Sequence, residues 1–155
     1  LKNISSSPPK FSIEVLKNLN KEILQSYEFI EVSQRLSFIC KDLPEEKLWI
    51  FSKNNINFFS DIINWIKIIK EEIPNRNNVD INFLNIAIEC LPKEPFNEYT
   101  WNQWTQNIKN KTELKGKNIF MPLRIALTGI EKGPELKYLL PLLNKKAILK
   151  KFGKI

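Results

Sequence analysis

The sequence predicts an all-α protein, and three observations carry that expectation. Apolar residues recur at the helical period of about 3.6 in one segment after another. Alternation at period two, the mark of a half-buried strand, never persists. Pro, Gly, Ser and Asp fall where those periodic segments begin and end, as helix starts and stops require. With 155 residues, the chain can form one compact unit or two small helical subdomains with cores of their own.

Taken in order, residues 1–9 are a serine and proline stretch suited to a linker or the tail of a preceding domain. Ser12 is placed to cap a helix in which Ile13, Leu16, Leu19 and Ile23 face inward, and a second pattern follows with Phe29, Val32, Leu36 and Cys40. Pro44-Glu45-Glu46 reads as a helix start, with proline in the first turn and two acids against the positive helix end. Leu48, Trp49 and Phe51 then turn inward. Asn54 and Asn55 interrupt, and Phe58, Phe59, Ile62, Ile63, Ile66 and Ile69 make a long apolar face, the expected central helix, which ends near Pro74. Asp80 is placed to cap the next helix, carrying Phe83, Leu84, Ala87, Ile88 and Leu91. Pro92 to Pro95 breaks the pattern and marks a subdomain boundary. Beyond it Trp101, Trp104 and Ile108 share one face, which makes the tryptophans core residues rather than stacking platforms for bases.

The stretch from Lys115 to Leu136 joins a basic entry, an amphipathic helix and a glycine turn. Phe120, Leu123 and Leu127 fall at i, i+3 and i+7 and are expected to bury one stripe, widened by Ile119 and Ala126. A helix beginning near Ile119 puts Pro122 in its first turn, where no donor is needed, and Gly129 ends it in the left-handed conformation. Gly133-Pro134-Glu135 opens a further helix, with proline at its first position, that carries Leu136, Leu139, Leu140 and Leu143. Arg124 sits on the margin of the stripe, and its bland alternative is a surface ion pair to Glu131 or Glu135. Lys115 and Lys117 are candidates for phosphate contacts, set against ordinary solubility charge. Lys145, Lys146, Lys150, Lys151 and Lys154 read as a solvated helix face.

A balance of 24 Lys+Arg against 17 Asp+Glu gives a formal charge of +7, which favours a polyanionic partner through counterion release. Part of that basicity reflects a general richness in Asn, Ile and Lys. The chain has no His, and its two cysteines, Cys40 and Cys90, stand apart in apolar contexts. They make neither a zinc site nor a disulfide framework and are expected reduced and packed. No apolar run reaches membrane-spanning length and no signal-like segment opens the chain, so a soluble cytoplasmic protein is expected.

Lys115-Gly116-Lys117, Ile119-Phe120, Pro122-Leu123-Arg124, Ala126-Leu127-Thr128-Gly129 and Gly133-Pro134-Glu135-Leu136 follow one another in an order and spacing that resembles the C-terminal anticodon-binding domain of bacterial glutamyl-tRNA synthetases. Ser7-Pro8-Pro9-Lys10-Phe11 with Leu16 and Leu19-Asn20 resembles the end of the family's stem-contact domain, and Thr100-Trp101 with Trp104 also matches. The resemblance covers most of the chain. It implies two stacked helical subdomains, an α-helix cage, with residues 1–24 as the tail of the stem-contact domain, 25–91 as the first subdomain and 92–155 as the second. Ser12 stands where the family has Asp and still caps, Asn18 replaces a tryptophan, and Asn144 replaces a glycine whose left-handed cap asparagine tolerates.

The function implied is anticodon recognition within an enzyme that attaches glutamate to tRNA(Glu). Carried over residue by residue, Arg124 reaches the anticodon, and the Gly133-Pro134 turn with Leu136 supplies backbone donors and an apolar seat for a base. An arginine's planar fork can stack and donate together. Lys53 stands where many members carry an arginine that reads the third anticodon base. Lysine lacks the bidentate fork, so discrimination between glutamate and glutamine anticodons is expected to relax or to shift to other residues, and tRNA(Gln) stays open as a second partner. The resemblance implies ATP and Mg2+ for the full-length enzyme but no cofactor, catalytic residue or metal ligand here, because the paired-histidine signature and the matching lysine-serine-lysine loop are absent. The chain alone is therefore expected to be inactive, and its start at Leu1 rather than Met agrees with a part of a longer polypeptide. A monomer without DNA or membrane partners is expected. A free-standing RNA-binding module acting in trans and a helical protein-interaction domain stay open as alternatives.

Overall fold

A computed structural model describes residues 12–40, 42–70 and 79–154. They form α1 (Ile13–Ser26), α2 (Phe29–Ile39), α3 (Glu45–Ser52), α4 (Ile62–Lys70), α5 (Ile81–Glu89), α6 (Thr100–Thr112), α7 (Lys117–Thr128), α8 (Leu136–Leu139) and α9 (Lys145–Lys151), with 3-10 turns at Lys53–Asn55, Phe59–Asp61 and Leu140–Leu142. No strand occurs among the described residues, as the helical periodicity requires.

The apolar stripes bury unequally. Val32 and Leu36 of α2 are buried as expected, followed by Cys40. By contrast Ile13, Leu16, Leu19 and Ile23 of α1 are 42–71% exposed, and Leu24 is the buried residue of that helix. Periodicity states which residues share a face and leaves open whether another element covers it. What fastens α1 is polar as well: Asn20 Nδ2 donates to the Asn57 carbonyl and Gln25 Nε2 to that of Asn54. Ser12 stands at the N-cap but its side chain makes no capping bond.

The central position belongs to α3 rather than to the 58–69 stretch. Leu48, Trp49, Phe51 and Ser52 are all buried, and α3 packs on α2 and on α8 with its following turn. Trp49 Nε1 donates to the Tyr27 carbonyl at 3.2 Å and Ser52 Oγ to that of Leu48 at 2.8 Å, so the polar atoms brought inside are satisfied. Pro44 is the N-cap of α3, one place before the expected first turn. The expected face from Phe58 is broken because the Asp61 carboxylate accepts from the Asn57 and Phe58 N–H groups at 2.9 and 3.0 Å, winding a turn ahead of α4. Phe58 and Ile63 are exposed, and Ile62 and Ile69 carry the burial. The expected end of that helix near Pro74 lies outside the described residues.

Asp80 caps α5 as predicted, accepting from Asn82 N–H at 2.9 Å. Pro92 to Pro95 lies in irregular chain between α5 and α6, and Glu94 there accepts from the Lys145 N–H at 2.9 Å. One buried cluster runs from Leu24 to Phe152 across both sides of that stretch. Two tail residues depart from expectation. Asn144 caps the N-terminus of α9, accepting from Ala147 N–H at 2.8 Å, with φ at −119° rather than left-handed. Lys151 is 2% exposed, not solvated: its stem crosses apolar surroundings and Nζ donates to the Ile68 carbonyl in the last turn of α4. Cys40 and Cys90 are buried free thiols, and burial pushes the pKa of both up.

Candidate nucleic-acid interface

The site is built on α6, α7 and the chain leading into α8. Gly116, at φ 52°, starts α7 at Lys117, two residues before the expected start. Pro122 therefore lies inside the helix, where it removes the N–H that would bond the Asn118 carbonyl. The buried stripe is Ile119, Leu123, Ala126 and Leu127, and Phe120 is 45% exposed. Phe120 points about 100° away from Ile119 around the helix, toward the margin of that stripe. Phe120 instead rests on Trp101, ring centroids 5.7 Å apart.

The tryptophans divide their roles. Trp104 is fully buried, donates from Nε1 to the Ala87 carbonyl at 2.7 Å and stacks on Phe152. It is the core residue expected. Trp101 meets it edge to face at 6.4 Å but is only half-buried, and its ring opens onto a surface hollow.

That hollow, about 150 Å³, is lined by Trp101, Phe120, Arg124, Glu135, Leu136 and Lys137. Gly129 ends α7 at φ 72° with its N–H on the Ile125 carbonyl at 2.8 Å, as predicted. The following turn brings Leu136, 3% exposed, beside Arg124. Gly133 has φ 155°, and a Cβ there would lie 3.0 Å from Trp65 Cη2 and 3.3 Å from Ile130 Cδ1, so no larger residue fits without movement. Pro134 is buried and precedes the cap residue Glu135 instead of opening the helix. α8 is a single turn, since Pro141 brings no N–H to continue it and the chain tightens into 3-10 geometry.

Arg124 is half-buried, and its Nη1 is a buried donor with no hydrogen-bond partner among the described residues. Desolvation lowers its pKa, yet a guanidinium stays charged at any physiological pH. The ion pair to Glu131 or Glu135 is not formed among the described residues: the Glu135 carboxylate takes Lys137 Nζ at 2.8 Å, which raises the lysine's pKa. A buried donor left unpaired costs free energy on the order of 1–3 kcal/mol, more when charged.

A second hollow of about 260 Å³ is lined by Thr105, Gln106, Lys109, Lys115, Gly116, Ile119 and Phe120. Phe120 thus borders both. Lys117 is exposed at the first position of α7. Lys53 is half-buried in the turn after α3, lines neither hollow, and sits in a turn packed on α1. A third hollow of about 420 Å³, between Glu46, Lys47, Ile50, Asn97, Glu98, Tyr138 and Pro141, contains no predicted site residue. Its two carboxylates disfavour a phosphate backbone. The structure therefore gathers Arg124 and Leu136 in one hollow and Lys115 in the next, with Gly133 and Pro134 in the turn that positions Leu136. Sequence reasoning assigned Trp101 and Phe120 to the core and passed over Gln106 and Lys109.

Among the described residues, no group of three or more His, Cys, Asp or Glu is placed to hold a metal ion, and no helix is long and apolar enough to cross a membrane. The sequence pattern of the family described as "Anticodon binding domain" matches residues 46–155. Glutamate–tRNA ligase 1 of Ehrlichia ruminantium (strain Gardel) is 41% identical over 150 residues, covering 96% of this chain and 33% of the ligase. Glutamate–tRNA ligase 2 of Rickettsia canadensis (strain McKiel) is 37% identical over 153 residues, covering 97% of this chain and 34% of the ligase. A glutamate-tRNA synthetase crystal structure from Elizabethkingia anophelis superposes with a TM-score of 0.78 over 93% of this chain and 31% of that one, at 18% identity, a likeness of fold. The chain spans about a third of the length of the curated relatives it matches. Most of its residues lie within the family's pattern, and the chain belongs to the anticodon-binding domain family.

Proposed function

We propose that this chain is the anticodon-reading part of a glutamate–tRNA ligase whose remaining polypeptide attaches glutamate to tRNA(Glu) with ATP and Mg2+. The observation that carries the reading is Arg124, which lines a hollow with Trp101 and Phe120 and whose buried Nη1 has no partner among the described residues. Anticodon loops offer unpaired bases that can be splayed out, stacked on aromatic rings and bonded along their edges. A base entering here would stack against aromatic carbon, rest on Leu136 and accept from Arg124. The Glu135 carboxylate beside them can accept from an exocyclic amine.

The Gly133-Pro134 turn holds Leu136 in place, and Lys115 and Lys117 neutralise backbone phosphates. Lys53 donates to the third anticodon base from the 25–91 subdomain, beyond the boundary at Pro92 to Pro95. As a single point donor it discriminates weakly, which admits tRNA(Gln) as a second substrate. The protein works as a cytoplasmic monomer.

The test is binding of the full-length ligase to tRNA(Glu) and to the same tRNA with its anticodon exchanged. Base reading predicts that the exchange weakens binding roughly tenfold or more. Equal affinity for the two tRNAs contradicts it.

A further inference from the structure

The hollow beside Arg124's holds no base in the reading above, although it adjoins it through one side chain. Phe120 borders both hollows, and its ring is held in place against Trp101 at 5.7 Å while nearly half its surface stays open. A fixed aromatic plate with free surface between two cavities is what two successive unpaired bases need, one to each side. The second cavity carries the rest of a nucleotide's requirements. Lys109 and Lys115 are exposed cations that form no ion pair among the described residues. Gln106 gives an N–H to Asn110 at 2.8 Å and keeps its carbonyl oxygen for a base amine. Ile119, at the bottom of the stripe, supplies an apolar wall.

We propose that this hollow is a second nucleotide subsite, which takes the unpaired base adjacent to the one held at Arg124, with the Phe120 ring between them and Lys109 and Lys115 on the linking phosphate. The assignment rests on the anticodon-reading function and extends it to a residue pair on α6 and a plate on α7. It gives Phe120 a second base to touch, where the sequence pattern alone would bury it.

The experiment uses the full-length protein and synthetic anticodon stem-loops of tRNA(Glu), one intact and a series each lacking a single loop base. Affinities are measured for the unaltered protein and for Phe120→Leu, Phe120→Tyr and Arg124→Ala, with far-UV circular dichroism confirming each fold. Phe120→Leu should weaken the intact loop roughly tenfold, the scale of one lost base stack, and Phe120→Tyr should keep the affinity. The leucine effect should vanish on one abasic loop, and that missing base should neighbour the one whose removal cancels the Arg124→Ala effect. Lys109→Ala should lower the salt slope by about one. If Arg124→Ala still pairs with a base while Phe120→Leu costs nothing, costs the same on every loop, or is matched by Phe120→Tyr, the second subsite is wrong and anticodon reading stands. If neither Phe120→Leu nor Arg124→Ala weakens any loop, both fall.

Discussion

Lys151 and Arg124 are long cations drawn into apolar surroundings, and their heads end differently. Lys151 Nζ reaches the Ile68 carbonyl and ties α9 to the last turn of α4. Arg124 Nη1 finds no hydrogen-bond partner among the described residues. The difference predicts opposite behaviour on substitution. Lys151→Met keeps the stem's volume but strands a carbonyl, and should lower unfolding free energy by about 1–3 kcal/mol in urea titration. Arg124→Met removes an unpaired buried donor and should leave stability within about 1 kcal/mol of the parent. A larger loss from Arg124→Met than from Lys151→Met would mean that Arg124 is structural. Neither burial was readable from sequence, because lysines in a basic tail are solvated far more often than not, and Arg124's neighbours across the hollow come from α6 and α8. Arg124's candidacy came from the motif around it, whereas Phe120 and Trp101 were hidden by a pattern that buries aromatics at helical spacing.

Elements were legible where capping chemistry is local. Asp80 before α5 and Gly129 after α7 act as their residue types dictate. The start of α7 was missed because Pro122 argued for a later first turn, while Gly116 at positive φ fixed an earlier one. The α7–α8 turn depends on a contact no local pattern records, that of Gly133 with Trp65 of α4, whose ring also meets Phe51 at 5.7 Å. Gly133→Ala places a methyl 3.0 Å from that indole in a backbone region unfavourable to side chains. It should destabilise by about 1–3 kcal/mol and weaken tRNA binding through the displaced Leu136. Combined with Trp65→Phe, which shortens the obstructing edge, the two losses should add to less than their sum in a double-mutant cycle by thermal unfolding. Strict additivity would assign the whole effect to backbone strain at Gly133.

At the scale of the molecule, the all-α class followed from periodicity, and the buried cluster from Leu24 to Phe152 bears it out. The exposed face of α1 shows the limit of such reasoning, since Ile13, Leu16, Leu19 and Ile23 keep helical spacing yet stay 42–71% exposed. The net charge of +7 favours a polyanionic partner, and in the proposed function the chemistry belongs to the rest of the ligase. Purified on its own, this chain should form no glutamyl-tRNA from glutamate, ATP, Mg2+ and tRNA(Glu); product formation above a protein-free control would contradict that division of labour. The central claim is that Arg124 reads a base while Lys117 holds phosphate, and the two roles differ in what salt and sequence do to them. The decisive measurement is the affinity of full-length ligase, as Arg124→Ala and as Lys117→Ala, for cognate and anticodon-exchanged tRNA at two salt concentrations. Arg124→Ala should cost about 1–3 kcal/mol on the cognate tRNA alone, whereas Lys117→Ala should weaken both tRNAs alike and lower the salt slope by roughly one. A folded Arg124→Ala protein that preserves the original difference between the two tRNAs would show that this arginine does not read the anticodon.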